Sequence, residues 1–153
     1  MKKFLTFVLL MFTVFAGFAK DGEITVDSLN KRLEGKSFVF VAQSAMPLKG
    51  KFISLSPSFD VKVSGDTVTA YLPYYGEVHS ATFPSEEGGI NFKSIRHKYK
   101  VQQKKNGWNV SIKPEDIGRS IELNFDISKS GNVMLRVTDQ RKDPITFKGF
   151  LEL

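Results

Sequence analysis

Cysteine is absent from this sequence, histidine occurs twice and tryptophan once. Without cysteine there is no disulfide, no thiol nucleophile, no thiolate metal ligand and no lipid-modified N-terminal cysteine. The two histidines, His79 and His97, fall on different predicted strands with no ligand-like spacing. A zinc site would have to recruit both, together with Glu77 or Asp60. A triad of Ser80, His79 and Asp60 can be assembled only on paper, because no nucleophile elbow accompanies it. The adjacent pairs Glu86-Glu87 and Glu115-Asp116 do not by themselves converge on one bond, as glycoside hydrolysis requires. Gly88-Gly89 lacks the strand-to-helix context of a phosphate-cradling loop. The expectation is a chain that is not an enzyme and carries neither metal nor cofactor.

Long apolar runs are also missing, with one exception at the N-terminus. Lys2 and Lys3 precede the apolar stretch Phe4–Phe15, and Gly17-Phe18-Ala19 offers small residues around a bulky one. This reads as a signal peptide, residues 1–19, cleaved after Ala19 or alternatively after Ala16. The run is shorter than the ~20 residues of a spanning helix, and no stop-transfer pattern follows. The expectation is therefore a soluble periplasmic or secreted protein that is not a lipoprotein and has no transmembrane span in its mature part. Residues 20–153 read as a single β-rich domain, since no linker or composition shift divides them. The net charge of +6 falls to about +4 when Lys2 and Lys3 leave with the signal. So mild a charge serves solubility and gives no nucleic-acid footprint.

Glycine-centred turns and period-two alternation dominate the rest. Phe59–Gly76 (FDVKVSGDTVTAYLPYYG) predicts a hairpin around Ser64-Gly65-Asp66, ended at Pro73, which has no N–H for a ladder. Ile24–Leu33 is the one helix candidate, with Thr25 or Asp27 as cap, Val26, Leu29 and Leu33 on one face, and Gly35 at its end. Phe38–Ala42 is apolar on both faces and reads as a central strand. Phe52–Leu55, Val78–Phe83, Ile90–Phe92, Lys93–Gln103, Trp108–Ile112, Ile121–Ile127, Val133–Val137 and a closing stretch from Ile145 supply further strands. Asn106-Gly107 is the strongest hairpin turn signal, and Lys113–Gly118 reads as one helical turn. About nine strands in an antiparallel meander must hide their edges. The fold class is mainly β with one short N-terminal helix, closing into a lipocalin-like barrel; a two-sheet sandwich is the alternative.

Three stretches carry a resemblance: Leu72-Pro73-Tyr74-Tyr75-Gly76, Gly88-Gly89-Ile90-Asn91-Phe92, and Arg141–Gly149. Together with the Gly-Asp turn they resemble the family described as domain of unknown function 4251, found in exported proteins of Bacteroidetes-type bacteria. The resemblance spans the Ser37 strand to the C-terminus and implies a fold and a compartment. Members often carry a tyrosine near the final glycine, where this chain has Phe147 and Phe150. The family implies no activity and no site residue.

Two surfaces are candidates for binding. Tyr71, Tyr74 and Tyr75, with Trp108, would form a rim of amphipathic rings suited to sugars or lipid tails. The alternative is structural, a tyrosine hydroxyl pinning a corner to nearby backbone. The basic stretch 93–105 presents Arg96, Lys98 and Lys100, which would meet an anionic lipid or glycan, or would simply guard a sheet edge against pairing. The sequence thus supports a non-catalytic exported module for an apolar or glycan-like ligand. The alternative is a protein-interaction or envelope-structural module that docks through its sheet edges or strand 93–105.

Overall fold

A computed structural model describes residues 24–79 and 88–152. Helix α1 (Val26–Glu34) opens the described chain. Thr25 caps it: its hydroxyl accepts from the Ser28 N–H (3.1 Å), while the Thr25 N–H donates back to Ser28 Oγ (3.1 Å), the reciprocal pattern of a capping box. Gly35 follows the helix, but the residue with positive φ is Lys36 (51°). Leu29 and Leu33, one turn apart, are fully buried. Nine helical residues are too few to hold alone, so this apolar stripe anchors the helix.

Ten strands follow: β1 (Ser37–Pro47), β2 (Ile53–Ser54), β3 (Asp60–Ser64), β4 (Thr67–Pro73), β5 (Gly89–Ser94), β6 (His97–Lys104), β7 (Gly107–Pro114), β8 (Ile121–Ser128), β9 (Asn132–Asp139) and β10 (Lys142–Glu152). They form one antiparallel sheet ordered β5-β4-β3-β1-β10-β9-β8-β7-β6, with β2 also paired to β1. The sheet curls strongly into a half-barrel, so the sandwich alternative falls away. It is two runs of neighbouring strands, β3–β5 and β6–β10, joined through β1 and β10, which pair from Val39↔Glu152 to Pro47↔Ile145.

The path from β5 to β6 reverses direction an even number of times, so these two outermost strands run the same way. Only Ile95 and Arg96 separate them in the chain. One bent stretch therefore forms both edges, and the curl follows from that short tether. The basic stretch expected to run unbroken over Lys93–Gln103 is divided at this point between β5 and β6. The Asp116 carboxylate staples a corner there, with Oδ2 accepting from the Ile95 N–H (2.8 Å) and Oδ1 standing 2.5 Å from the Ser94 hydroxyl. Those two hydrogen bonds hold the Asp116 carboxyl below the ordinary carboxylate range, the Ser94 hydroxyl contributing most. The same corner explains why Lys113–Gly118 is not a helical turn: Pro114 ends β7, and the Glu115 N–H is spent on the Arg96 carbonyl (2.9 Å).

The Asn106-Gly107 turn lies one residue earlier than expected. Lys104 pairs with Gly107, so Lys105 and Asn106 make the loop, and the positive φ (153°) belongs to Gly107. A Cβ on Gly107 would run into the Ile127 carbonyl, so close strand approach adds a second demand for glycine. The Val78–Phe83 strand lies largely outside the described residues, with Val78 forming a single bridge to Lys142.

Inward-facing residues fill the half-barrel. Phe125 meets Phe38 and Phe40 edge-to-face at 5.7 and 5.9 Å. Phe147, Trp108 and the alternate aliphatics of the strands complete one cluster with Leu29 and Leu33. Helix α1 is fastened over this core by two long-range hydrogen bonds. The Trp108 indole N–H donates to Asn30 Oδ1 (3.0 Å), and the Tyr99 hydroxyl donates to the Leu33 carbonyl (2.7 Å), which also accepts from the Lys36 N–H (3.2 Å).

Candidate functional site

The four residues of the expected aromatic rim do not meet. Tyr71 stands exposed on the outer face of β4 and stacks on Phe59 (5.6 Å between ring centres). Tyr75 is exposed in the segment after β4. Trp108 is 1% exposed, held under the helix. Tyr74 is half-buried, and its hydroxyl is shared between the carbonyls of Glu77 (2.9 Å) and Asp143 (3.0 Å). Burial first, then the Asp143 charge, pushes its phenol up from the ordinary value. Tyr74 thus occupies the corner-pinning position that the sequence reading set beside the ligand role. Gly76 makes room for it, since a Cβ there would lie 2.6 Å from Tyr74 Cζ.

Beneath Tyr74 lies a polar cluster that sequence reasoning missed. The Lys142 ammonium sits 4.9 Å from the Tyr74 ring centre and donates to the buried Gly89 carbonyl (2.6 Å). Arg119 Nε lies 3.6 Å from Asp139 Oδ2, with side chains only 3% and 2% exposed. The other Asp139 oxygen accepts from the Arg141 N–H (3.0 Å). At the solvent edge His79 Nε2 meets Asp143 Oδ1 at 2.7 Å. Lys142, Asp139 and Arg119 sit in or beside turns, where charge ordinarily means exposure; only the neighbouring strands bury them. The cluster sews the β9–β10 turn to the β7–β8 connection, to the start of β5 and to the segment after β4. Of the paper triad, His79 pairs with Asp143 rather than Asp60, and Ser80 lies outside the described residues. Among the described residues no three potential metal ligands converge.

Arg96 stands at the β5–β6 corner, and Lys98 and Lys100 point outward from β6, where Lys98 pairs with Glu115 (3.1 Å). None of the β6 side chains is fully buried, as befits a lysine-guarded edge.

A concavity lies on the outer face of β8–β10, at the end of the sheet opposite the polar cluster. It is a groove of about 590 Å³ lined by Gln43, Lys104, Asp126, Asn132, Met134 and Lys148 together with the backbone at Gly107 and Gly149. Met134, an exposed apolar side chain, stands opposite Lys148 in the ladder, and exposed Phe150 stands opposite Asn132. Cross-strand partners share a face, and diagonal neighbours remain within reach of long side chains. Met134 is therefore the exposed apolar side chain of the groove lining, and Phe150 stands beside it on the same face of the sheet. The irregular register between Ala42 and Ser44 leaves Gln43 at this groove. Gly149 belongs to the inner-facing set of β10, and a Cβ there would strike the Val41 carbonyl and crowd the buried Phe40 ring. A mid-strand glycine was the one sequence signal for this close approach; the outward-facing residues of five strands gave none.

A single curled antiparallel sheet, closed over a filled core by one helix, defines the class: a mainly β half-barrel. The family model described as Domain of unknown function (DUF4251) matches residues 21–151, and the chain belongs to that family. It is similar in fold to a crystal structure of a DUF4251 family protein from Bacteroides eggerthii, with TM-score 0.65 and 19% sequence identity over 82% of this chain and 85% of that chain. No curated protein matches the chain.

Proposed function

We propose that this protein is an exported, non-catalytic binding module whose outer-face groove takes a glycan-like ligand. The observation that carries the reading is the groove itself, an open 590 Å³ depression with Met134 in its lining and exposed Phe150 beside it on the same face. Sugar rings offer apolar C–H faces and equatorial hydroxyls, and such a site needs an apolar floor with a few fixed polar groups around it. Asn132, Asp126, Gln43, Lys104 and Lys148 supply both donors and acceptors. The filled interior argues against a ligand inside the barrel. The N-terminal signal pattern supports the exported location. The only close histidine–carboxylate contact among the described residues, His79 with Asp143, lies at the far end of the sheet from the groove, which favours binding without chemistry.

Titrating neutral and anionic oligosaccharides while following amide NMR shifts tests the reading. Shifts should cluster at Asp126, Asn132, Met134 and Phe150. Phe150→Ala should weaken binding by about tenfold, the scale of one stacked aromatic contact, with little change in melting temperature. Shifts elsewhere, or affinity unchanged in Phe150→Ala, would overturn it.

A further inference from the structure

The polar-cluster end of the sheet carries a second surface of different chemistry. Between the end of β1 at Pro47 and the start of β2 at Ile53, the chain projects Leu48-Lys49-Gly50-Lys51-Phe52. Leu48 is 61% and Phe52 60% exposed, while the lysines between them are exposed as well. Lys49 pairs with Glu77 across 3.6 Å, which brings the segment holding exposed Tyr75 and Val78 beside the loop. Glu77 is the acidic group that meets Lys49. The result is a tip bearing two aromatic and two aliphatic side chains, with ammonium groups between them.

We propose that this tip docks the protein on an anionic lipid bilayer. Aromatic and aliphatic side chains gain by entering the boundary between headgroups and acyl chains, and lysines flanking them keep their ammonium groups among anionic headgroups while their stems lie along the apolar layer. A protein partner fits the tip less well. Interface cores are depleted in lysine and favour anchors that fill pockets, whereas here lysines alternate with the apolar residues on a projecting loop. The geometry is also compatible with the groove. Pro47 pairs with Ile145 near the β9–β10 turn, and the groove lies at the β8–β9 turn, so a membrane under the first end leaves the groove open to solvent. The inference rests on this tip and not on the groove, and it survives failure of the glycan reading.

Vesicle co-sedimentation tests it, using the purified protein with its N-terminus defined by mass spectrometry. The protein should pellet with vesicles of phosphatidylcholine plus phosphatidylglycerol and far less with phosphatidylcholine alone, and raised salt should release it. The double variants Leu48→Ser/Phe52→Ser and Lys49→Glu/Lys51→Glu should each lose about tenfold in partitioning while circular dichroism and melting stay as in the parent. Failure to pellet with anionic vesicles, or equal pelleting of parent and both variants, overturns the proposal. So does equal binding to neutral vesicles, or self-association in solution that Leu48→Ser/Phe52→Ser abolishes, which would make the tip a contact between copies.

Discussion

The two ends of the half-barrel are closed by different physics. At one end helix α1 lays Leu29 and Leu33 on the core and is fastened by the Trp108–Asn30 and Tyr99–Leu33 hydrogen bonds. At the other, buried Lys142, Asp139 and Arg119 knit turns together beneath Tyr74. An apolar lid loses stability in proportion to the contact removed. A charged seam loses it abruptly when one partner goes, because the remaining charge has already left water. The lid end sits beside the open groove and the seam end beside the projecting loop, so each candidate surface is held by a different kind of support.

The largest test sets Asp139→Ala against Leu33→Ala. Removing the carboxylate beside buried Arg119 should cost about 3–5 kcal/mol, and truncating Leu33 about 2–5 kcal/mol, both read by urea unfolding. A cost below about 1 kcal/mol for Asp139→Ala, the range of exposed pairs, would break the comparison by showing that the seam is wet.

A finer test deletes one hydroxyl at each end. Tyr99→Phe removes the donor to the Leu33 carbonyl, and Tyr74→Phe removes the group shared by Glu77 and Asp143. Each should cost about 1 kcal/mol. Only Tyr74→Phe should speed hydrogen exchange of the Asp143 N–H, which bonds to the Glu77 carbonyl.

The smallest effect is one of pH. His97, at the seam between the sheet edges, packs on Tyr99 (6.2 Å between ring centres), and its ring nitrogens have no hydrogen-bond partner among the described residues. Burial first, then the nearby Lys36 charge, lowers its pKa from 6.5 against the opposing pull of Asp66 and Asp116. The unfolded chain therefore binds the proton at higher pH than the folded chain does. Stability is full above about pH 6.5 and declines as pH falls through the window below it. His97→Gln should flatten that part of the unfolding profile.

Local order was legible where a short-range rule decided it. Thr25 capped the helix, Gly65 made the β3–β4 turn with φ 58°, β4 ended at Pro73, and β8 and β9 alternated as their residues read. Neighbours across the sheet were not legible. Nothing in Val39 names Glu152 as its partner, and nothing in Ile95-Arg96 announces a corner until Asp116 arrives from another part of the chain. The candidate sites diverged for the same reason. Trp108 reads as a rim residue until its N–H meets Asn30, and Lys142 reads as a turn residue until strands close over it. Burial is a property of partners distant in sequence.

The β1–β10 joint bears on how the molecule comes into being. β1, the first strand of the sheet in chain order, pairs with β10, the last of its strands. Such long sequence separation slows folding, because loop-closure entropy is spent before the contact returns any energy. Until the eleven residues of β10 arrive, β1 and β9 each present an unpaired edge that another chain can join. The half-barrel is thus locked by its last strand, and a chain lacking β10 would be an aggregation hazard before it was merely a weaker fold.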